Sequence, residues 1–313
     1  MTPSDASIPT SHRSQHRAMS IQKALLVEVK GAPFIVVTRP IPTPGPGEVL
    51  VKMAAAALNP IDHKMGVLGF RLDEFPAVLG IDGAGTVEAL GEGVDSGELQ
   101  KGDRVLFERL KFASDYGTFQ QYALINAKRT YKIPATLSFE QAATFPLCLT
   151  TVAIGLYAPY GPRGGVAFTA PWQDGGLGKY KDRPALVIGG SGSVGQFALQ
   201  MLKLSGFNPI IVTASTHNEA YVRAAGATHF IDYHTTPYDA LSGAVARITS
   251  TPLPIVFDAI AHDDTQQAAW ALTAPGGWQS VSGGLDGISD ALEKVVKLQV
   301  SGAKMVARVD EPV

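Results

Sequence analysis

Residues 184–206, PALVIGGSGSVGQFALQMLKLSG, restrict the fold more than any other stretch, because an apolar run, a glycine-rich turn and a helical period follow one another without a break. Val194, Phe197, Ala198, Met201 and Leu202 recur at i, i+3, i+4, i+7 and i+8, the apolar stripe of one helix. The turn therefore joins a strand to a helix. Gly190, Gly192 and Gly195 fit G-x-G-x-x-G, in which missing side chains let backbone amides approach a pyrophosphate at the positive end of the helix. That reading sets Ser191, Gly192, Ser193, Val194 and Gly195 against a dinucleotide, and an ordinary glycine-rich loop is the bland alternative.

The position that reads the adenosine ribose falls about 20 residues past such glycines, at the end of the next apolar run. A site for NAD would carry Asp or Glu there; this chain has Ser215, followed by Thr216, His217 and Asn218. Small hydroxyl, imidazole and amide groups leave room for a 2′-phosphate and offer it donors, whereas a carboxylate would repel it. NADPH is therefore expected over NADH. The same four residues also read as the cap of the next helix, and the two readings are compatible. Arg223 either adds charge to this site or belongs to a solvated helix face.

With 313 residues, 45% of them hydrophobic, the chain is long enough for two domains with cores of their own. A net charge of −2 lacks the clustered basic excess that nucleic-acid binding needs. Apolar runs stay short of the ~20 residues of a membrane span. The only cysteine, Cys148, excludes an internal disulfide and fits a reducing compartment. Residues 1–19 are polar and rich in Ser, Thr, Pro, Arg and His, without the apolar core of a secretory signal. They read as a disordered tail, with a mitochondrial presequence as the alternative. The expectation is a cytoplasmic protein.

Texture changes along the chain. Up to about residue 138, short β-type runs (KALLVEV, FIVVTR, EVLVKMAAAAL, GAGTVEAL) are divided by turn-forming Pro and Gly, which predicts a β-rich, barrel-like domain over 20–138. From residue 139, helical segments alternate with the apolar runs PALVIG, PIIVTA, THFIDY and PIVFDAI. Alternation of that kind predicts a doubly wound parallel sheet, an α/β domain over 139–282. A helix over 138–157, capped at Ser138 with Glu140 and Gln141 nearby, is predicted to lead from the first domain to the second.

The blocks GPGEVLVKMAAAALNPIDHKMG, FPAVLGIDGAGTVEALGEGV, KGDRVLF, YGTFQQYALI, AATFPLCLTTVAIGLY, the glycine-rich turn, GATHFIDY and VSGAKMVARV occur in that order. Together they resemble the medium-chain dehydrogenase/reductase superfamily, over nearly the whole chain from about Ala24. NPIDHK and TAS…FIDY are most similar to the zinc-independent enoyl reductases of fungi that act in trans on polyketide synthases, with quinone oxidoreductases next. The resemblance implies a GroES-like first domain, a Rossmann second domain, and a C-terminal segment over 283–313 that returns to the first. It implies NADPH contacts from Ile61, Asp62, His63 and Lys64, and from Val281, Ser282, Ser301 and Gly302, while Tyr233, at the end of the third strand, reads either as a contact to the 2′-phosphate or as packing. It further implies a monomer or homodimer working on a small-molecule or carrier-bound acyl substrate.

Two residues are the catalytic candidates, Lys64 and, by the resemblance, Thr151. Hydride delivered to the β-carbon of an α,β-unsaturated thioester leaves negative charge on the thioester oxygen, and a preorganised cation lowers that barrier. Lys64 is the candidate cation, and a surface lysine is the bland reading. Thr151 corresponds to a threonine the family sets beside the nicotinamide carboxamide, although Thr150 and Thr151 could equally bond back to helix carbonyls. Asp258, at a strand end, reads as a turn or cap residue.

Zinc alcohol dehydrogenases place Cys where this chain has Asn59 or Pro60, and a His-Glu pair where it has Ile81 and Asp82. A catalytic zinc takes three protein ligands and a structural zinc four, mostly thiolates, which one Cys cannot supply. Cys148 lies in an apolar segment and reads as a core thiol, so the expectation is a metal-free enzyme. The family also inserts roughly one strand-helix-strand unit, ~30 residues, between segments like PGGWQSV and GGLDGISDAL, which this chain joins almost directly. Part of the sheet edge is therefore expected to be missing, whether through a skipped exon or a truly abbreviated chain. Three functions stay open: an enoyl reductase of polyketide biosynthesis, a quinone or small-enone reductase, and a cofactor-binding protein with little catalysis.

Overall fold

Proline and glycine cut the first half of the chain into short strands, and the computed structural model breaks where they do. It describes residues 20–72, 74–160, 165–281 and 303–307, with only the backbone described over 274–281 and 303–307. The first domain contains β1 (Ile21–Val27), β2 (Phe34–Pro40), β3 (Glu48–Ala57), α1 (Pro60–Leu68), β4 (Ala77–Val78), β5 (Asp82–Leu90), β6 (Arg104–Glu108), β7 (Tyr122–Asn126) and β8 (Thr130–Lys132). These strands pair antiparallel in two sheets, β2-β1-β4 and β7-β3-β5-β6-β8, bridged at Ala24 and Gln120. Val49 and Val51 of β3 pack with Val87, Val105, Phe107 and Ile125 in the core, as residues two apart on one face of a strand must.

The predicted continuous helix over 138–157 is corrected by the structure to two helices, α2 (Phe139–Ala143) and α3 (Pro146–Tyr157). Pro146 explains the break: it has no N–H to give the carbonyl four residues back, and its ring would clash there, so it opens a new helix at its first position instead. The cap at Ser138 is present, with Ser138 Oγ accepting the Gln141 amide at 3.1 Å and Gln141 Oε1 accepting the Ser138 amide at 2.9 Å. By length and a mean hydropathy of 1.2, Phe139–Tyr157 could cross a membrane. Here Cys148, Val152 and Leu156 of α3 pack into the core of the second domain.

That second domain runs β9 (Ala185–Ile188), α4 (Ser193–Ser205), β10 (Ile210–Ala214), α5 (Glu219–Ala225), β11 (His229–Asp232), α6 (Leu241–Ala246), β12 (Leu253–Asp258), α7 (Asp263–Leu272), β13 (Thr273–Val281) and β14 (Ala303–Ala307). All neighbours are parallel, in the order β11-β10-β9-β12-β13-β14. Chain order reverses between β9 and β12, the switch point at which open sheets of this kind bind ligands beyond the strand ends. Ala185 and Val187 enter the core shared with α3, α4 and α5, while Leu186 and Ile188 enter the core shared with α6 and α7. A strand covered on both faces reads as one unbroken apolar run, which is why PALVIG shows no alternation.

The expected gap at the sheet edge is not what the structure shows. β14 fills the sixth place, pairing with β13 from Gly277 and Ala303 to Val281 and Ala307. An edge strand leaves a row of open N–H and C=O groups, and the AKMVA run, itself of strand length, satisfies them. Residues 303–307 were expected in the segment returning to the first domain; their backbone lies in this sheet instead.

Candidate active site

The glycine turn is built from steric necessity at three positions and open space at a fourth. Gly189 follows β9 with φ +76°, a conformation side chains rarely adopt. A Cβ on Gly190 would run into Val212 of the neighbouring strand, and one on Gly195 would run into the Gly189 carbonyl, with Gly190 Cα 2.8 Å away. Gly192, the cap of α4, is exposed, and a Cβ there would come only within 3.5 Å of the Gly189 carbonyl. The open side of Gly192, with Ser191, Ser193 and Val194 around it at the positive end of α4, is the cradle a dinucleotide pyrophosphate requires. The residues present fit that group.

At the end of β10, Ser215 is buried, and its hydroxyl donates to Tyr233 Oη at 2.8 Å and lies 3.3 Å from His234 Nε2. Thr216, His217 and Asn218 form a short 3-10 turn before α5, and neither Ser215 nor Asn218 caps a helix with its side chain. A carboxylate does stand nearby, though on β11: Asp232 accepts from the Thr216 hydroxyl and from the His234 amide at 2.9 Å. These hydrogen bonds, with His234 and His217 beyond them, hold Asp232 below the usual carboxylate range. Arg223 is engaged by Glu219 at 2.7 Å on the exposed face of α5, the solvated reading. Asp258 takes the expected turn role, accepting from the Ile260 and Ala261 amides at 2.9 and 3.0 Å and from Thr265 Oγ1 at 2.7 Å.

A cavity of about 510 Å³ lies between this turn and the first domain. Its walls are the end of β3 (Ala54, Ala55, Ala56 and Ala57), Leu58 and Asn59, then Asp82, Glu140, Ala143, Thr144, Cys148 and Ser193. Leu58 is 82% exposed, a large apolar side chain left at the rim. Asn59 and Asp82 bond to each other: Asn59 Nδ2 donates to Asp82 Oδ2 at 3.0 Å. No three His, Cys, Asp or Glu side chains converge among the described residues. This donor set does not fit a zinc ion.

Burial pushes the Asp82 carboxyl up to about 7, helped by Glu108 and Asp62 and opposed by its hydrogen bonds from Asn59 and Leu147. Burial also raises the Cys148 thiol to about 11, with Asp82 and Glu108 adding to the effect, so Cys148 remains a thiol at neutral pH and reads as a wall. In α1, His63 is exposed, and Ile61 and Lys64 are half-buried. Lys64 makes no ion pair among the described residues. Asp62 is buried, and its Oδ2 accepts the Asn59 amide at 2.8 Å, closing the first turn of α1. Burial raises it to about 6 against the attraction of Arg109.

Arg109, which pattern reading passed over, is 1% exposed. Its guanidinium donates to the carbonyls of Lys111 at 2.7 Å, Val78 at 3.0 Å, Gly80 at 3.4 Å and Ala113 at 3.2 Å, and to that of Phe112, pinning the loops beneath Asp62. In the sequence it is one of four charged residues in RVLFERLKF, with Arg104, Glu108 and Lys111, and nothing in the pattern marks it out. Thr151 Oγ1 donates to the Leu147 carbonyl at 2.9 Å, the back-bonding alternative, which leaves its oxygen free only to accept. Val281 is the last residue of β13, paired with Ala307, while Ser282, Ser301 and Gly302 lie outside the described residues.

Sheet order, glycine turn and interdomain cleft define a two-domain dinucleotide-binding oxidoreductase. Residues 45–135 match the model of the alcohol dehydrogenase GroES-like domain, and residues 193–304 match that of the zinc-binding dehydrogenase domain. The trans-enoyl reductase tazE of Aspergillus terreus is 35% identical over 224 residues, 67% of this chain and 68% of that protein. An alcohol dehydrogenase superfamily protein from Novosphingobium aromaticivorans superposes with a TM-score of 0.70 at 27% identity, over 91% of this chain and 78% of that one. A mycobacterial Rv1454c structure complexed with NADPH superposes with a TM-score of 0.67 at 24% identity, over 91% and 81%. The chain belongs to the medium-chain dehydrogenase/reductase superfamily, among the relatives of the trans-enoyl reductases.

Proposed function

We propose that the chain uses NADPH to reduce the carbon–carbon double bond of an α,β-unsaturated acyl thioester, acting in trans on acyl groups carried by a polyketide synthase. The observation that carries this reading is the cavity in which Asn59 of the NPIDHK segment and Ser193 of the glycine turn are two walls of one space. Kinship with trans-enoyl reductases supports the choice of substrate.

When bound, the nicotinamide supplies the hydride. The amides around Gly192, with Ser191, Ser193, Val194 and Gly195, hold the pyrophosphate, and Ser215, Thr216, His217, Asn218 and Tyr233 receive the adenosine end. Thr151 is assigned to accept a hydrogen bond from the carboxamide. Lys64 is assigned the charge on the thioester oxygen, where a preorganised ammonium lowers the barrier. Ile61 and His63 border the ligands. The apolar wall of Ala54, Ala55, Ala56, Ala57 and Leu58 suits an acyl chain.

The test is NADPH oxidation by the purified chain with a crotonyl-type thioester and, in parallel, with quinones. Turnover of the thioester with reduction of its double bond supports the proposal. Turnover of quinones alone would make this a quinone reductase, and tight NADPH binding without turnover a cofactor-binding protein.

A further inference from the structure

Asp82 is the first residue of β5, and its side chain is 1% exposed. Its two carboxylate oxygens are used by two different parts of the chain. Oδ2 accepts from Asn59 Nδ2 at 3.0 Å, and Asn59 is the residue that caps α1. Oδ1 accepts from the Leu147 amide at 2.9 Å, in the first turn of α3. Pro146 has no N–H, so Leu147 offers the first of the unpaired amides at that helix start, and the carboxylate meets the positive end of the dipole there. A second tie lies one turn on, where Thr150 Oγ1 donates to Glu108 Oε2 at 2.9 Å, and Glu108 stands directly across from Asp82 in the sheet. The groups facing Asp82 are thus Asn59 and Asp62 from α1, Glu108 from β6, and Leu147 and Cys148 from α3.

The two helices so joined carry the two residues assigned to catalysis, Lys64 on α1 and Thr151 on α3. We propose that Asp82 is a positioning residue, whose single carboxylate couples the start of α1 to the start of α3 and so holds Lys64 and Thr151 in register with each other. The inference rests on the enoyl reductase reading for its kinetic consequence, but not for its structural one. Reacting groups displaced by about 1 Å can lose ~10²-fold in rate, so a coupler of two helices acts on turnover without touching substrate.

The test uses three variants: Asp82→Ala, Asn59→Ala and the exchanged pair Asn59→Asp with Asp82→Asn. The exchanged pair keeps both bonds, since the new amide at 82 can donate to position 59 and accept from Leu147. Asp82→Ala and Asn59→Ala are each expected to lower kcat at saturating NADPH and thioester by about 10-fold or more, with NADPH affinity changed by less than about 3-fold. Amide hydrogen exchange is expected to quicken in the first turns of both α1 and α3 on Asp82→Ala, and the exchanged pair is expected to restore both kcat and protection. If Asp82→Ala fails to fold, Asn59→Ala and the exchanged pair carry the same comparison. Unchanged exchange at both helix starts, unchanged kcat in the alanine variants, or an exchanged pair that folds without recovering would overturn the proposal. A wild-type chain with no thioester turnover would defeat the enoyl reductase reading alone, because the exchange arm still reports on the coupling.

Discussion

Ser215 and Tyr233, eighteen positions apart in sequence, are joined hydroxyl to hydroxyl at 2.8 Å across the ends of β10 and β11. The bond joins two separate sequence signals into one surface beyond the ends of β10 and β11. It also brings Asp232 beside Thr216, so that surface carries one hydrogen-bonded carboxylate together with His217 and His234.

NADPH is expected to bind more tightly than NADH, because Ser215, the position after β10 proposed to read the ribose, is a hydroxyl and the Asp232 carboxylate on β11 is already hydrogen-bonded. Fluorescence titration of both cofactors checks this. Ser215→Asp is expected to shift the preference toward NADH by about tenfold, equivalent to ~1.4 kcal/mol. Equal affinities in the wild type would remove the phosphate reading of residues 215–218.

Gly192 and Gly195 are expected to fail in different ways. A methyl at Gly195 meets the Gly189 carbonyl, so Gly195→Ala should lower stability by about 1–3 kcal/mol, as overpacking does. A methyl at Gly192 has room within the protein and none against a ligand, so Gly192→Ala should keep its melting temperature while losing NADPH affinity. The paired measurement is thermal unfolding with and without NADPH. A Gly192→Ala variant that binds NADPH normally would mean that the phosphates lie elsewhere.

Lys64→Ala is expected to reduce kcat by about 10²-fold, the effect of losing one oxyanion donor, with a smaller effect on NADPH affinity. Steady-state kinetics and cofactor titration separate the two. Loss of affinity with turnover intact would make Lys64 a grip on the cofactor, and no change in either would make it a solvated lysine.

Stability is expected to fall as pH rises from about 4 to 7. Asp82 and Asp62 are raised from 3.8 to about 7 and about 6, so within that window the folded chain holds protons that the unfolded chain has released. The stabilisation is complete below pH 3.8 and is lost as pH passes the folded values, with a slope of at most ~1.4 kcal/mol per pH unit for each group. Asp82→Asn should flatten the upper part of this fall, most clearly between pH 6 and 7, in denaturant titrations at fixed ionic strength. An identical pH profile for variant and wild type would show that Asp82 ionises normally.

Activity is expected to survive prolonged chelation, and elemental analysis is expected to find far less than one zinc per chain. No three His, Cys, Asp or Glu side chains converge among the described residues, and Asn59 and Asp82 bond directly to each other. About one zinc per chain, lost together with activity, would contradict this.

Local regularities carried the fold. PALVIG, PIIVTA and PIVFDAI became β9, β10 and β12 because strands buried on both faces need apolar residues at nearly every position, THFIDY became β11 at the sheet edge with only Ile231 buried, and the stripe of Val194, Phe197 and Met201 became α4 because helical period alone specifies one face. The glycines could be read for the same reason: their constraints involve residues only a few positions away or on the adjacent strand. Pro146 shows the opposite failure, since apolar continuity over 138–157 outweighed a proline whose effect on the backbone is local and strong.

What sequence could not determine is which polar groups meet. Asn59, Asp82 and Leu147 lie in three segments, and only the packing of β5 against the starts of α1 and α3 brings a single carboxylate to both. Asp62 and Arg109 are likewise ordinary charged letters until burial removes their water and leaves each to find backbone partners. Hydrophobic period is written along the chain at short range, so sequence determined the elements, their order and the cofactor class. Hydrogen bonds and shifted acidities arise between distant segments in low dielectric, so only the tertiary structure decided how the cleft is held and which of its residues remain available to a ligand.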